Sequence, residues 1–488
     1  MRTRFPPSPT GFLHVGGLRT ALMNYLVSRR TNGNFLVRIE DTDRERLVPG
    51  AVENMLRGMT WVGISPDEGV MLDPGGEVMQ KGNRGPYFQS ERLPLYKKYA
   101  AELVLKGRAY RCFCLPERLQ EMRKRQEELR QPPMYDRRCL GLSTEDAALK
   151  SKNGAPHVIR MKIPHERRIT FTDEIRGELN FQGHTIDDQV LLKSDCFPTY
   201  HLAHVVDDHL METDIVIRGE EWLSSLPKHL LLFEWLGWTP PRYAHVPLLL
   251  GKDRKKLSKR DGDVTVEEYM RKGYLPETMV NFLALLGWNP GTTQEIFTME
   301  ELIEQFSLER VQKAGAIFDL EKLDWLQGQW MRKIRLSDFA SRILPLVAEK
   351  FLLAKSDPDF VKKARLIQER ITFFHEAPDM MRFFYEEPRA SAELIANEKQ
   401  KIEKSQLSEI FMTLERVLGN VIEKEWTVTG LKAAVQSGLG NFSQGQLLWP
   451  LRAALTGLPY SPGAYEVAEA LGKTKTMERL RRTARSIQ

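Results

Sequence analysis

A chain of 488 residues exceeds the size at which one hydrophobic core keeps growing, so roughly three to five domains of ~100 to 150 residues are expected. With 42% hydrophobic and 28% charged residues and no low-complexity bias, a disordered or fibrous protein is excluded, and no stretch approaches the ~18 to 20 apolar residues of a membrane span. The net charge of +6 is small, but positives bunch at Arg137–Arg138, Arg167–Arg168, 252–260 and 479–485, which suits a polyanion touching several domains as well as it suits solvated helix faces.

The opening MRTRFPPSPTGF carries no apolar core of a secretion signal, so a cytoplasmic location and no membrane partner are expected. Residues 1–45 read as strand, turn, helix and strand. The TRF run enters a PPSPTG turn, a helix follows with Leu18, Ala21, Leu22, Tyr25 and Leu26 on one face, and GNFLVRIEDTD forms the next strand. This is a βαβ unit, and in open parallel sheets ligands collect beyond the carboxyl ends of the strands, where the PPSPTG turn and the EDTD acids should meet. A helical stretch and a Gly/Pro-rich surface loop at DEGVMLDPGGEVMQKGNRGPY are expected before helix resumes at QSERLPLYKKYAAELVLKG.

Residues 93–184 mix helices with short alternating strands and read as an insertion; the main sheet is expected to resume with DDQVLL, continuing through a helical, acid-rich piece to TDIVIRGEEW. Beyond 263 the signals are almost wholly helical.

Two motifs carry chemistry. In PSPTGFLHVGG, Gly11, Gly16 and Gly17 let backbone approach a nucleotide, and His14, near a helix N-terminus, can donate to a phosphate oxygen. About 240 residues later KDRKKLSKRDGD offers Lys256 and Lys259, able to neutralise charge on a departing pyrophosphate. Either motif alone is open to a plain turn or a solvated patch.

Together they resemble the HIGH and KMSKS signatures of class I aminoacyl-tRNA synthetases, standing here as HVGG and KLSKR. Within that class RFPPSPTGFLHVGG, RIEDTD, GPYFQSERLPLY, PTYHLAHVVDDHLM, IRGEEWL, FDLEKLDW and LRAALTG resemble glutamyl-tRNA synthetases of the bacterial type over nearly the whole chain. The resemblance implies an α/β plus all-α protein. A Rossmann-type parallel-sheet catalytic domain (1–92 and 186–262) would be interrupted by an inserted α+β acceptor-stem domain (93–185). A helical stem-contact domain (263–335) and a helical anticodon-binding domain (336–488) would follow.

It also implies ATP with Mg²⁺, L-glutamate and tRNA(Glu) as ligands, and a monomer. His14, Lys256 and Lys259 would stabilise the transition state as glutamate attacks the α-phosphorus of ATP, with Thr10, Gly11, Gly16, Gly17 and Ser258 completing the nucleotide site. Arg4 and Arg218, helped by Tyr200, would hold substrate carboxylates; Glu40 would meet the α-ammonium, Ser8 and Pro6 would line the site, and Trp222 would wall it. His204 stands where many relatives carry asparagine, and its charge is expected to depend on pH near ~6.5.

In the insertion, Cys112, Cys114 and Cys139 with Tyr135 match a structural zinc site of the family, with Gly141 where other members have histidine; free thiols are the alternative. At 365–385 arginines and aromatics suit anticodon reading, and Gln368 aligns with an arginine that disfavours tRNA(Gln) in some members, which extends the expected partners to tRNA(Gln). The competing readings are a shortened paralogue that glutamylates queuosine in tRNA(Asp), which lacks the helical half, and a catalytically silent tRNA-binding scaffold.

Overall fold

The computed structural model describes residues 1–257 and 265–487, and the chain divides into two compact units, residues 1–272 with 276–320 and residues 273–275 with 321–488. The first unit opens as strand, helix, strand: β1 (Thr3–Phe5), α1 (Val15–Arg30) and β2 (Phe35–Val37), with β1 and β2 parallel and Arg4 opposite Leu36. Leu18, Ala21, Leu22 and Leu26 form the buried face of α1, and Arg29 and Arg30 sit in its last turn, where cations suit the helix dipole. The turn into β2 needs Gly33, because a Cβ there would lie 1.9 Å from the Met1 carbonyl oxygen.

After α2 (Ala51–Trp61), the segment expected as a surface loop instead supplies two strands of the same sheet. β3 (Glu68–Leu72) runs parallel to β2, and β4 (Val78–Lys81) returns antiparallel to β3. Apart from Gly69, which pairs within β3, the glycines and prolines that masked them lie in the turns on either side of β4, leaving GVML and VMQK free to pair.

α3 (Leu93–Leu105) leads into the insertion: β5 (Ala109–Cys112), α4 (Pro116–Glu128), α5 (Thr144–Lys152), β6 (Val158–Met161), the hairpin β7 (Arg168–Asp173) and β8 (Gly177–Gln182), and β9 (Val190–Leu192). β9 corrects the sequence reading: it pairs antiparallel with β6 in a three-stranded sheet β5-β6-β9, so the VLL run completes the insertion's sheet instead of resuming the main one. A three-residue apolar strand states that it is buried and leaves open against what.

α6 (Tyr200–Leu210), β10 (Ile215–Gly219), α7 (Leu226–Leu236) and β11 (Arg242–Val246) follow, with β10 and β11 parallel. β10 lies beside β1, where Asp214 N–H donates to the Arg2 carbonyl at 3.0 Å, and Asn24 of α1 donates to the Ile217 carbonyl at 3.1 Å. Next come β12 (Leu249–Leu250), α8 (Val266–Lys272), α9 (Pro276–Leu285), α10 (Met299–Gln305) and β13 (Ala316–Ile317). β13 pairs parallel with β12, so a strand from the largely helical stretch braces the base of the lysine-rich segment.

Among its described residues the second unit is built of helices and short helical turns around one core. Phe339, Ile343 and Val347 of α11 (Leu336–Lys350) pack in it with Leu447, Leu451 and Leu455, which lie on one helix between Gln444 and Thr456.

Candidate active site

Beneath the carboxyl ends of β1 and β2 lies a floor of paired charges. Arg4 Nε donates to both carboxylate oxygens of Asp208, at 3.2 and 3.1 Å, while Arg38 donates to Asp208 at 2.8 Å and to Glu40 at 3.0 Å. Arg92 Nε and Tyr96 Oη donate to Asp207 at 2.7 and 2.8 Å. Three guanidinium groups thus face three carboxylates, the arrangement that lets buried charge survive loss of water. Burial opposes ionisation of Asp208, but Arg4 and Arg38 outweigh it and hold its pKa well below the ordinary value. For Glu40 burial wins: helped by Asp208 and opposed by Arg38 and Arg4, it pushes the carboxyl up to about 7. Nη1 of Arg4 is buried without a hydrogen-bond partner among the described residues.

Over this floor stands a ring of aromatic and imidazole groups. Tyr200, at the start of α6, packs on Trp222 with ring centroids 4.2 Å apart and stacks on His204 at 5.2 Å. Trp222 is 38% exposed, which makes it a rim residue and not part of the core.

Arg218, on β10, is buried here, donating to His245 Nε2 at 3.0 Å, Tyr200 Oη at 2.9 Å and the Trp222 carbonyl at 3.3 Å, with His229 Nδ1 also at 3.3 Å. These partners are uncharged, and among the described residues no carboxylate lies within ion-pair distance of its guanidinium. Burial lowers the pKa of His201 and of His204 to about 3 and that of His229 well below its ordinary value; it also lowers that of His245, with Arg218 adding and Asp173 opposing. The expectation for His204 is corrected accordingly. Fully buried between Asp208, 3.0 Å from Nδ1, and Tyr243, 3.3 Å from Nε2, it stays neutral across the physiological range.

His14 is the N-cap of α1, where its Nδ1 accepts from Gly17 N–H at 3.0 Å. That bond leaves the proton of the neutral ring on Nε2, a donor for an anion. Surrounding protein and the charge of Lys256 lower its pKa, with Glu221 opposing. A Cβ at Gly16 would come within 3.1 Å of His14 Nδ1, so the glycine makes room for the folded-back imidazole.

The two sequence motifs meet: His14 bridges Thr265, and Val266 N–H donates to the Leu13 carbonyl at 2.9 Å, directly after the lysine-rich segment. Exposed Lys256 bridges Leu250 at the near end of that segment; Ser258 and Lys259 lie outside the described residues. In the turn after β1, Pro6 and Thr10 are half-buried, Ser8 Oγ donates to the Glu40 carbonyl at 2.8 Å, and Gly11 faces open space.

Two further sets lie elsewhere. The Sγ atoms of Cys112, Cys114 and Cys139 lie within 4.8 Å of one another, and Tyr135 Oη is 3.3 Å from Cys112 Sγ and 3.2 Å from Cys114 Sγ. A tetrahedral zinc with Zn–S of ~2.3 Å would set its sulfurs about 3.8 Å apart, so these four groups fit one with small adjustment. In the second unit Gln368 is buried, and its Nε2 donates to the carbonyls of Met331 at 3.1 Å and Ile334 at 2.7 Å. Both amide protons are thus taken up in closing a helix end.

Residues 1–325 match the catalytic domain of class I tRNA synthetases (E and Q), and residues 335–484 match an anticodon binding domain. The chain is 43% identical to a glutamate–tRNA ligase of Finegoldia magna, over 98% of each chain. It is 45% identical to one of Chlorobium phaeobacteroides, over 99% of this chain and 97% of the other. The chain belongs to the class I glutamate–tRNA ligase family. Its structure superposes with a TM-score of 0.84 on a glutamate tRNA ligase of Elizabethkingia meningosepticum in complex with its amino acid, at 33% identity and full coverage of both chains.

As a class I synthetase of the glutamate–tRNA ligase family it uses ATP with Mg²⁺, and no helix among its described residues is long and apolar enough to cross a membrane. Sequence reasoning passed over Arg38, Asp207 and Asp208, although RIEDTD and HVVDD contain them; an arginine followed two residues on by an acid, and a paired Asp on an apolar helix, were signals for buried ion pairs. His229, His245 and Asp173 carried no local signal, because their partners lie on other elements.

Proposed function

We propose that the chain joins L-glutamate to the 3′ end of tRNA(Glu) at the expense of ATP, through a glutamyl-adenylate, in the pocket between the paired-charge floor and the aromatic ring. The observation that carries the reading is the buried Arg218 guanidinium with uncharged partners only. A buried charge without a counter-ion costs several kcal/mol, a cost that a substrate carboxylate would offset. Arg218 and Tyr200 take one carboxylate of glutamate, the free Nη1 of Arg4 is placed for a second contact, and Glu40 receives the ammonium.

The α-carboxylate then attacks the α-phosphorus of ATP, pyrophosphate leaves, and the terminal 2′-hydroxyl of tRNA displaces AMP. His14 Nε2–H, Lys256 and Lys259 stabilise the charge that builds on the phosphates, beside the glycines at 11, 16 and 17. Mg²⁺ would neutralise part of the triphosphate charge when bound with ATP. Cys112, Cys114, Cys139 and Tyr135 hold a structural zinc that stiffens the insertion at 93–185, which receives the acceptor stem, while the helical segments 263–335 and 336–488 bind stem and anticodon. The chain acts as a monomer, and lacking a guanidinium at position 368 it also charges tRNA(Gln).

Charging of purified tRNA(Glu) and tRNA(Gln) with labelled glutamate tests activity and selectivity together. Loss of charging in Arg218→Ala with ATP affinity kept is expected; unchanged use of glutamate by that variant would remove the basis of the reading. Absence of ATP–pyrophosphate exchange with folded protein and tRNA present would favour a silent scaffold.

A further inference from the structure

The partner that holds Arg218 in place is itself held from the insertion. Asp173, the last residue of β7, is 1% exposed, and its Oδ2 lies 2.7 Å from Nδ1 of the fully buried His245 on β11. Its other oxygen accepts from the backbone N–H of Ile175, Arg176 and His245, at 3.0, 2.9 and 3.2 Å. An ionised carboxylate facing Nδ1 can only accept, so the imidazole proton resides there, and Nε2 presents a lone pair to Arg218 Nε–H at 3.0 Å. The opposite tautomer would set two N–H groups head on.

We infer that Asp173 and His245 form a positioning relay that orients the Arg218 guanidinium while leaving its charge unneutralised, so that the pocket selects a substrate carboxylate over an amide. A carboxylate placed directly on Arg218 would hold the side chain equally well but would spend its charge; a neutral imidazole locked in one tautomer holds it without doing so. Because Asp173 belongs to the β7–β8 hairpin, the relay also joins the inserted segment to the amino-acid pocket: Arg176, in the hairpin turn, donates to the His245 carbonyl at 3.2 Å and to the Lys313 carbonyl at 2.7 Å. The inference rests on Arg218 being the carboxylate anchor.

Asp173→Asn separates the relay from a merely structural role. Its amide oxygen keeps the three backbone donors, while its NH₂ faces His245 Nδ1 and drives the proton to Nε2, against Arg218. ATP–pyrophosphate exchange by the full chain with tRNA present should show the KM for glutamate raised about tenfold or more, the KM for ATP within about twofold, and kcat much less affected.

In His245→Gln the amide oxygen accepts from Arg218 without help from Asp173, so adding Asp173→Asn to it should raise the KM for glutamate by less than about twofold. An unchanged KM for glutamate in Asp173→Asn, an equal rise for ATP, or the same effect in both backgrounds overturns the relay. Should Asp173→Asn fail to fold, His245→Gln against His245→Phe decides: glutamate affinity must survive in the first and fall in the second. Arg218→Ala run alongside tells the two failures apart, because wild-type glutamate affinity in that variant removes the anchor itself whatever the relay variants do.

Discussion

Glu40 gives the pH test of the pocket. Its carboxyl is moved from 4.5 to about 7 by burial, a change worth about 3 kcal/mol against the charged form. The ammonium of glutamate binds the ionised form, so at pH 6 only about one site in ten is ready, and the kcat/KM for glutamate should fall about fivefold from pH 7 to 6 and approach tenfold per unit below that. His201 and His204, lowered to about 3, His229, lowered well below its ordinary value, and His14 and His245, lowered from 6.5 by burial, all protonate after Glu40 as the pH falls. The assay is tRNA-dependent ATP–pyrophosphate exchange from pH 5.5 to 8 at saturating ATP, wild type beside Glu40→Gln. The variant should bind glutamate weakly with a flat profile, which also removes any contribution from titration of ATP. A wild-type decline of less than about threefold between pH 7.5 and 6, or a variant profile parallel to the wild type, would refute the reasoning.

His14→Ala should lower kcat by about 10²- to 10³-fold with little change in the KM for glutamate, because its donor acts on developing charge; steady-state charging kinetics check it. The buried neutral histidines work on stability with the opposite sign to Glu40: with folded pKa values below an unfolded value of 6.5, their contribution is complete above pH 6.5 and lost as pH falls toward 3. Denaturation at pH 7.5 and 5.5 should therefore show His204→Asn less acid-sensitive than wild type by about 1 kcal/mol; an identical pH slope would contradict the neutral assignment. One zinc per chain is expected by elemental analysis of protein purified without chelator, and Cys112→Ser should lose it with a lowered melting temperature, whereas metal-free wild type would return the site to three thiols.

The catalytic end of the chain was legible where its chemistry is local. The HVGG turn, the lysine-rich segment and the arginines at strand ends declare themselves by residue type, and the structure brings His14 beside Thr265 and Lys256 and gathers Arg4, Glu40, Tyr200, His204, Arg218 and Trp222 into one cluster. What escaped was pairing across long separations. Nothing around Asp173 announces His245, and the state of His204 is decided by desolvation that no single sequence displays. The same holds for β3 and β4, hidden by the turns flanking β4, for β9, whose partner strand cannot be read from three apolar letters, and for Gln368, whose column in a family pattern says nothing about which way its amide points.

The paired-charge floor has a consequence for how such a pocket can change over generations. With Arg4, Arg38 and Arg92 locked against Glu40, Asp207 and Asp208, removing one of the arginines or either aspartate strands a charge in the interior, at a cost of about 3 to 5 kcal/mol, whereas Glu40, half neutral at pH 7, is exchanged at a smaller cost. Drift is therefore steered into the ring above, where neutral groups such as His204 can be exchanged one at a time. A new amino-acid preference would have to be written in the walls while the foundation is inherited as a block.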